Sequence, residues 1–313
     1  MRLAGLYPGL PDGAGNPCRR QPTQFHHGRR LTLAPVAIAF ALLSALSYGV
    51  SDYVAGVMSR AWDSRLVTTA AQLIGLITAV VAVLLFPGAG PAAAPLWWGA
   101  LSGVGSALGV LALYQGLAVA NMSVVAPLCG VVTCVIPAAV GVALGNRLTV
   151  IELVGILLTI PAVGLVSRQS SADPHEHGTT GIAYGLTAGA GFGLLFVALD
   201  QAGSRHGAWP LLPGQGVSLV LVAPFAIGAA CRAGMPSSQT LTTTMIAGIL
   251  SGAANLLFLL ATRHGELAIV GVLSSLYPAG TVLIARLRLN ERWSRSQRLG
   301  MLTSLVAVVL VSI

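Results

Sequence analysis

Residues 37–49, AIAFALLSALSYG, and residues 181–193, GIAYGLTAGAGFG, decide the fold. In the first, small residues stand at Ala37, Ala41, Ala45 and Gly49; in the second, glycines stand at Gly181, Gly185, Gly189 and Gly193. A residue at every fourth position keeps to one face of an α-helix, because 3.6 residues complete a turn. Two helix backbones approach closely along such a face. That is how helices associate in lipid, where burying apolar side chains supplies no drive. The ladder is assembly chemistry, and the chain carries it twice.

The rest of the chain matches this reading. Of 313 residues, 55% are hydrophobic and 8% charged, with mean hydropathy +0.82; a soluble domain is about 25% charged. Windows of about 20 apolar residues cross roughly 30 Å of hydrocarbon. Ten are present, over 34–57, 65–86, 95–117, 121–144, 149–168, 180–200, 210–231, 242–262, 266–286 and 294–313. Each spanning segment must satisfy its own backbone hydrogen bonds in lipid, and the period-two alternation of a barrel is missing, so the windows are helices. The expectation is an all-α polytopic membrane protein with ten transmembrane helices.

Further anchors extend the repeat. GALSG at Gly99 to Gly103 is echoed by GILSG at Gly248 to Gly252, each a GxxxG on an apolar span. Asn146-Arg147 pairs with Glu291-Arg292, Thr149 with Ser294, Gly155 with Gly300, and Leu165-Val166-Ser167 with Leu310-Val311-Ser312. These ordered anchors divide the chain into a basic tail (1–33), a first five-helix repeat (34–168), a polar linker (169–179) and a second five-helix repeat (180–313). Five is odd, so the second copy enters the membrane from the opposite side and the repeats are inverted. Inverted repeats meeting at a pseudo-two-fold axis build alternating access, with a site near the midplane.

All 17 basic residues are arginine, against nine acids. Most flank apolar spans, where they snorkel to headgroups, or sit in the tail, so no solvated basic face points to nucleic acid. The tail is rich in Pro, Gly and Arg and reads as disordered. Its arginines place both termini in the cytoplasm of a cell that holds the protein in its plasma or inner membrane, although the arginine count divides almost evenly between the two sides. Cys18, Cys129, Cys134 and Cys231 lack the spacing of a metal or redox site, and Cys129 and Cys134 read as space-filling. His175, Glu176 and His177 fall short of a ligand set. No P-loop or nucleophilic triad is visible, so neither a cofactor nor an enzyme activity is expected.

Polar residues inside the spans carry what chemistry there is. A carboxylate within a span costs several kcal/mol unless it meets water or a partner. Asp52, one turn from Tyr48, is thus either a proton- or cation-binding group of a cavity or an interfacial acid paired with Arg60 or Arg65. Tyr114 and Gln115 either donate into the cavity or belong to an aromatic belt and boundary. Asn255 either lines the cavity or bonds between helices. Ser274, Ser275 and Tyr277 precede Pro278, whose missing amide hydrogen frees a carbonyl; Tyr277 reads as substrate contact or as packing. Phe192 and Phe196 occupy the positions equivalent to Tyr48 and Asp52, as cavity wall or as packing. Trp97 and Trp98 read as interface anchors, and Glu152, Asp200 and Glu266 as caps or local ion pairs. Few fixed charges favour zwitterionic or moderately amphipathic ligands over multiply charged ones.

Several stretches together resemble the EamA family of the drug/metabolite transporter superfamily. They are Tyr48-Gly49 with Asp52-Tyr53, Leu113-Tyr114-Gln115-Gly116-Leu117 leading to Ser123-Val124-Val125-Ala126-Pro127, and Leu276-Tyr277-Pro278 followed by Leu289-Asn290-Glu291-Arg292-Trp293-Ser294. The resemblance runs from about residue 34 to 313. It implies a ten-helix bundle of two five-helix repeats that exports small metabolites such as amino acids, or drugs. Gly145-Asn146-Arg147 stands where the family usually has a glutamate, which puts in doubt a cap or ion pair at the fourth-to-fifth connection of the first half. The competing class is a membrane receptor or scaffold that moves nothing, which needs the small-residue stripes but no wet midplane.

Overall fold

The computed structural model describes residues 35–119, 122–146, 148–166, 178–203, 205–231, 234, 236–277 and 295–312. The tail 1–33, the His175-Glu176-His177 stretch, Pro278 and the segment Leu289 to Ser294 lie outside the described residues. Helices run over α1 (Pro35–Ala61), α2 (Ser64–Leu85), α3 (Ala93–Val119), α4 (Met122–Ala143), α5 (Val150–Val166), α6 (Gly178–Gln201), α7 (Leu211–Ala230), α8 (Ser238–Thr262), α9 (Leu267–Ser274) and α10 (Arg295–Ser312). Each described helix falls on one of the apolar windows. Six of them, α1, α2, α3, α6, α7 and α8, are long and apolar enough to cross a membrane, and Leu128–Ala143 and Val150–Ala162 are shorter apolar stretches. The chain is an all-helical membrane protein.

The helix ends follow ordinary capping chemistry. Asp63 caps α2 by accepting from the Arg65 amide at 2.9 Å, and Ser237 caps α8 by accepting from Thr240 at 3.1 Å. At α5 the Thr149 amide donates to Glu152 Oε2 (2.5 Å) while the Glu152 amide donates to Thr149 Oγ1 (3.2 Å), a reciprocal capping box. The fourth-to-fifth connection is therefore capped without the family's glutamate. Asn146 meanwhile turns away, its Oδ1 accepting from the Ala268 amide in the first turn of α9 at 3.4 Å.

Small residues decide which helices touch. On α6, a Cβ added at Gly185, Gly189 or Gly193 would press on Val125 and Leu128, on Cys129 and Val132, and on Ile136 respectively, all of α4. The matching ladder of α1 meets α9 instead: Ser274 Oγ donates to the Ala41 carbonyl at 3.5 Å, and Ala37 lies against Gly265. Gly99 and Gly103 of GALSG seat α3 on Pro210 and Gly214 at the start of α7, while Gly248 and Gly252 of GILSG seat α8 on Ala71, Ile74 and Thr78 of α2. Gly181 and Gly49 are buried with the rest of their ladders. Each half thus packs its small-residue faces on helices of the other.

Hydroxyls reinforce these contacts. Ser44 and Ser51 of α1 donate to the carbonyls of Ala254 and Ala247 in the antiparallel α8, at 2.9 and 2.8 Å. Gln72 of α2 donates to Ser106 of α3 (3.0 Å) and to Ser218 of α7. The loops after α2 and α6 clamp together where Ala208 donates to Phe86 (2.8 Å) and Ala89 to Arg205 (2.9 Å). Gly88 and Gly207, both at φ 55°, touch there, and a Cβ on either would clash with the other's backbone.

Candidate functional site

The face that α1 turns inward at mid-length carries Tyr48 and, one turn later, Asp52. The helix continues to Ala61, so Asp52 lies nine residues, or about 13 Å, inside its end. This is deeper than the apolar window 34–57 placed it. Asp52 is 7% exposed. No arginine pairs with it among the described residues.

Tyr48, Asp52, Phe192, Phe196 and Tyr277 enclose a narrow central cavity of about 10 Å³, room for about one water. Three chain segments supply them: α1, α6 and the residues just past α9. The rings are mutually fixed. Tyr48 tilts against Phe196 at 5.9 Å, Tyr277 meets Tyr48 and Phe192 edge-on at 6.4 Å each, and Phe196 stacks on Phe258 of α8 at 4.1 Å. The hydroxyls face outward from this group. Tyr48 donates to Asn255 Oδ1 at 2.7 Å, Asn255 Nδ2 donates back to the Ser251 carbonyl at 3.1 Å, and Tyr277 Oη lies 2.9 Å from Cys129 Sγ. The carboxyl therefore faces ring faces and edges, and no described residue donates a hydrogen bond to it.

Of the residues singled out in the sequence, Tyr48, Asp52, Phe192, Phe196 and Tyr277 are brought together. Asn255 supports the group from behind, bonding between helices as one of its two readings had it. Tyr114 is fully buried and reaches Ser51, one residue from Asp52. Gln115 points elsewhere: its Oε1 accepts from Ser64 at the start of α2, at 2.6 Å. Ser274 is spent on the α1 backbone. Cys129, read as filler, holds the Tyr277 hydroxyl, and only its place opposite α9 reveals that.

Two wider openings lie at opposite ends of the helices that build the cavity. One, of about 640 Å³, is lined by Arg60, Trp62 and Asp63 at the end of α1 and by Gly234, Pro236, Ser237 and Thr240 before and within α8. The other, of about 400 Å³, is lined by Leu144, Asn146, Asp200, Gln201, Gly265, Glu266 and Leu267. Tyr48 and Asp52 share a face of α1 by their four-residue spacing, as do Phe192 and Phe196 on α6, with Asp200 one turn further on.

Comparison with known proteins points the same way. Residues 179–313 match the EamA-like transporter family. No curated protein matches significantly. A solved structure described only as the crystal structure of a protein superposes with TM-score 0.68 at 16% identity, covering 88% of this chain and 95% of its own, which is a likeness of fold.

Proposed function

We propose, on the premise that residues 179–313 form an EamA-like transporter domain of the drug/metabolite transporter superfamily, that the whole chain is a secondary transporter exporting a small metabolite or drug. That family is one of transporters and not of enzymes. The observation that carries the proposal is the buried Asp52 in a small cavity between two openings at opposite ends of the helices. A receptor or scaffold gains nothing from an unpaired carboxyl at that depth, where it costs several kcal/mol. A transporter uses it, because the group alternates between ligand and proton as the cavity empties.

The reciprocal packing supports alternating access between two inverted five-helix repeats. The ladder and GxxxG of the first half seat on the fourth and second helices of the second half, and the reverse holds. Two interleaved halves of equal construction have two equivalent ways to lean, each opening one end.

The test is transport in proteoliposomes holding the purified full chain and a mixture of cytosolic metabolites. The expected result is efflux of a subset of the mixture that Asp52→Asn reduces at least about tenfold, with unchanged protein incorporation. Equal efflux by both proteins removes Asp52 from the mechanism, and a failure of the wild type to move any component overturns the transporter reading.

A further inference from the structure

The central cavity has a lining of unusual chemistry for a polar ligand: four aromatic rings and one carboxyl. Aromatic faces carry negative quadrupole charge and attract cations within about 6 Å of the ring centre, more strongly where water is excluded. Asp52 adds a formal counter-ion. A neutral ligand could only hydrogen-bond to that carboxyl, and an anion is repelled by it once it is ionised. A zwitterion brings a carboxylate that itself needs a cation or several donors, and no basic residue lines the cavity among the described residues. The two tyrosine hydroxyls have partners behind the wall, at Asn255 and Cys129.

The approach to the cavity has the same character. On α6 the face that carries Phe192 and Phe196 continues to Asp200, which lines the 400 Å³ opening together with Glu266. No basic residue lines that opening among the described residues either.

We infer that the central cavity takes a compact organic monocation, an ammonium head on an apolar body, with Asp52 as its counter-ion and Tyr48, Phe192, Phe196 and Tyr277 as the box around the head. This rests on the transporter reading of the same site. At about 10 Å³ the box is too small to hold such a head. Its rings stand on three separate segments, so a small displacement of α1 from α6 opens it.

The experiment is equilibrium dialysis of radiolabelled phenethyltrimethylammonium against the purified full chain in detergent, with phenylalanine and phenylpropanoate as competitors. These share a benzyl body and differ in the charge they present. The cation is expected to bind, with both competitors at least about tenfold weaker and Asp52→Asn about tenfold weaker for the cation. Phe192→Leu keeps apolar bulk, removes one ring face and is expected to weaken the cation about threefold. It keeps the inference open to refutation if the Asp52 variant fails to fold. Absence of cation binding, phenylalanine competing as well as the cation itself, or unchanged affinity in both variants overturns the inference. Proteoliposomes separate its failure from that of the transporter reading. Vesicles that move a zwitterion and ignore the cation overturn the cation assignment alone, and a cation that binds without being moved overturns transport alone.

Discussion

The hydrogen bond from Tyr48 to Asn255 joins the first half of the chain to the second in the wall of the cavity, at 2.7 Å between two side chains that are each less than a tenth exposed. Interhelical hydrogen bonds within membrane proteins are worth about 0.6 kcal/mol on average and rarely approach 2, because the unfolded helices find other partners in the bilayer. A double-mutant cycle of Tyr48→Phe and Asn255→Leu, read by thermal unfolding in detergent, should return a coupling of about 0.5–1.5 kcal/mol. Additivity of the two variants would show the contact to be absent in the folded protein. A single change, Cys129→Ala, removes one partner of the Tyr277 hydroxyl. It should alter transport more than stability, seen as a change in apparent KM with a Tm shift of a few degrees at most. Asp52 was legible in the sequence because a carboxylate stands out in an apolar run, and Tyr48 because it lies one turn away. The contacts of Gln115 and Ser274 were not legible, because spacing fixes the angle between residues on one helix but not which neighbour that angle meets. Cys129 was illegible for a related reason, since a small thiol in an apolar helix carries no mark of the tyrosine opposite.

Helices were the most legible level, since the length and hydropathy needed to cross a bilayer are properties of single segments. Their partners were not. The ladders and GxxxG pairs announced close approach, yet nothing in a stripe of glycines says that α6 will seat on α4, or α3 on α7. Those contacts can be tested by filling them. At Gly191 of α6 an added Cβ would meet the Gly105 carbonyl at 2.7 Å and Gly109 Cα at 2.8 Å, both backbone of α3. At Gly216 of α7 it would meet nothing within 4 Å. Alanine is the better helix former by about 1 kcal/mol, so Gly216→Ala should leave Tm unchanged or raise it. Gly191→Ala should lower Tm by several degrees, because α3 and α6 must move apart along their whole crossing. Equal effects of the two substitutions would mean that α3 and α6 do not cross at Gly191. Thr149→Ala provides a smaller test, removing the hydroxyl that accepts from Glu152 at a cost of about 1 kcal/mol.

At the scale of the molecule, the paired anchors in the sequence led to an expectation of duplicated, inverted repeats, but the exchange of small-residue packing faces between the first and second halves of the chain is a property of the assembled fold. On the proposed alternating access the two openings are opposites: closing Arg60, Trp62 and Thr240 together would loosen Asp200, Asn146 and Leu267. Single cysteines at Thr240 and at Gln201, in a chain otherwise free of cysteine, should change reactivity in opposite directions when a transported ligand is added. Parallel changes would exclude alternation between two leaning halves. The native protein already carries a reporter of orientation. Cys231 is exposed and follows α7, close in sequence to Gly234 and Pro236, which line the opening at the end of α1. It therefore lies at the end of the bundle opposite the start of α1. With the start of α1 facing the cytoplasm, a membrane-impermeant maleimide should label Cys231 in intact cells and leave a Cys231→Ala variant unlabelled. In a chain whose Cys18 is replaced, labelling of Cys231 confined to inverted vesicles would place the start of α1 outside, and with it the opening lined by Asp200 and Asn146. Ligands would then meet that opening from the exterior and the proposed direction of transport would reverse.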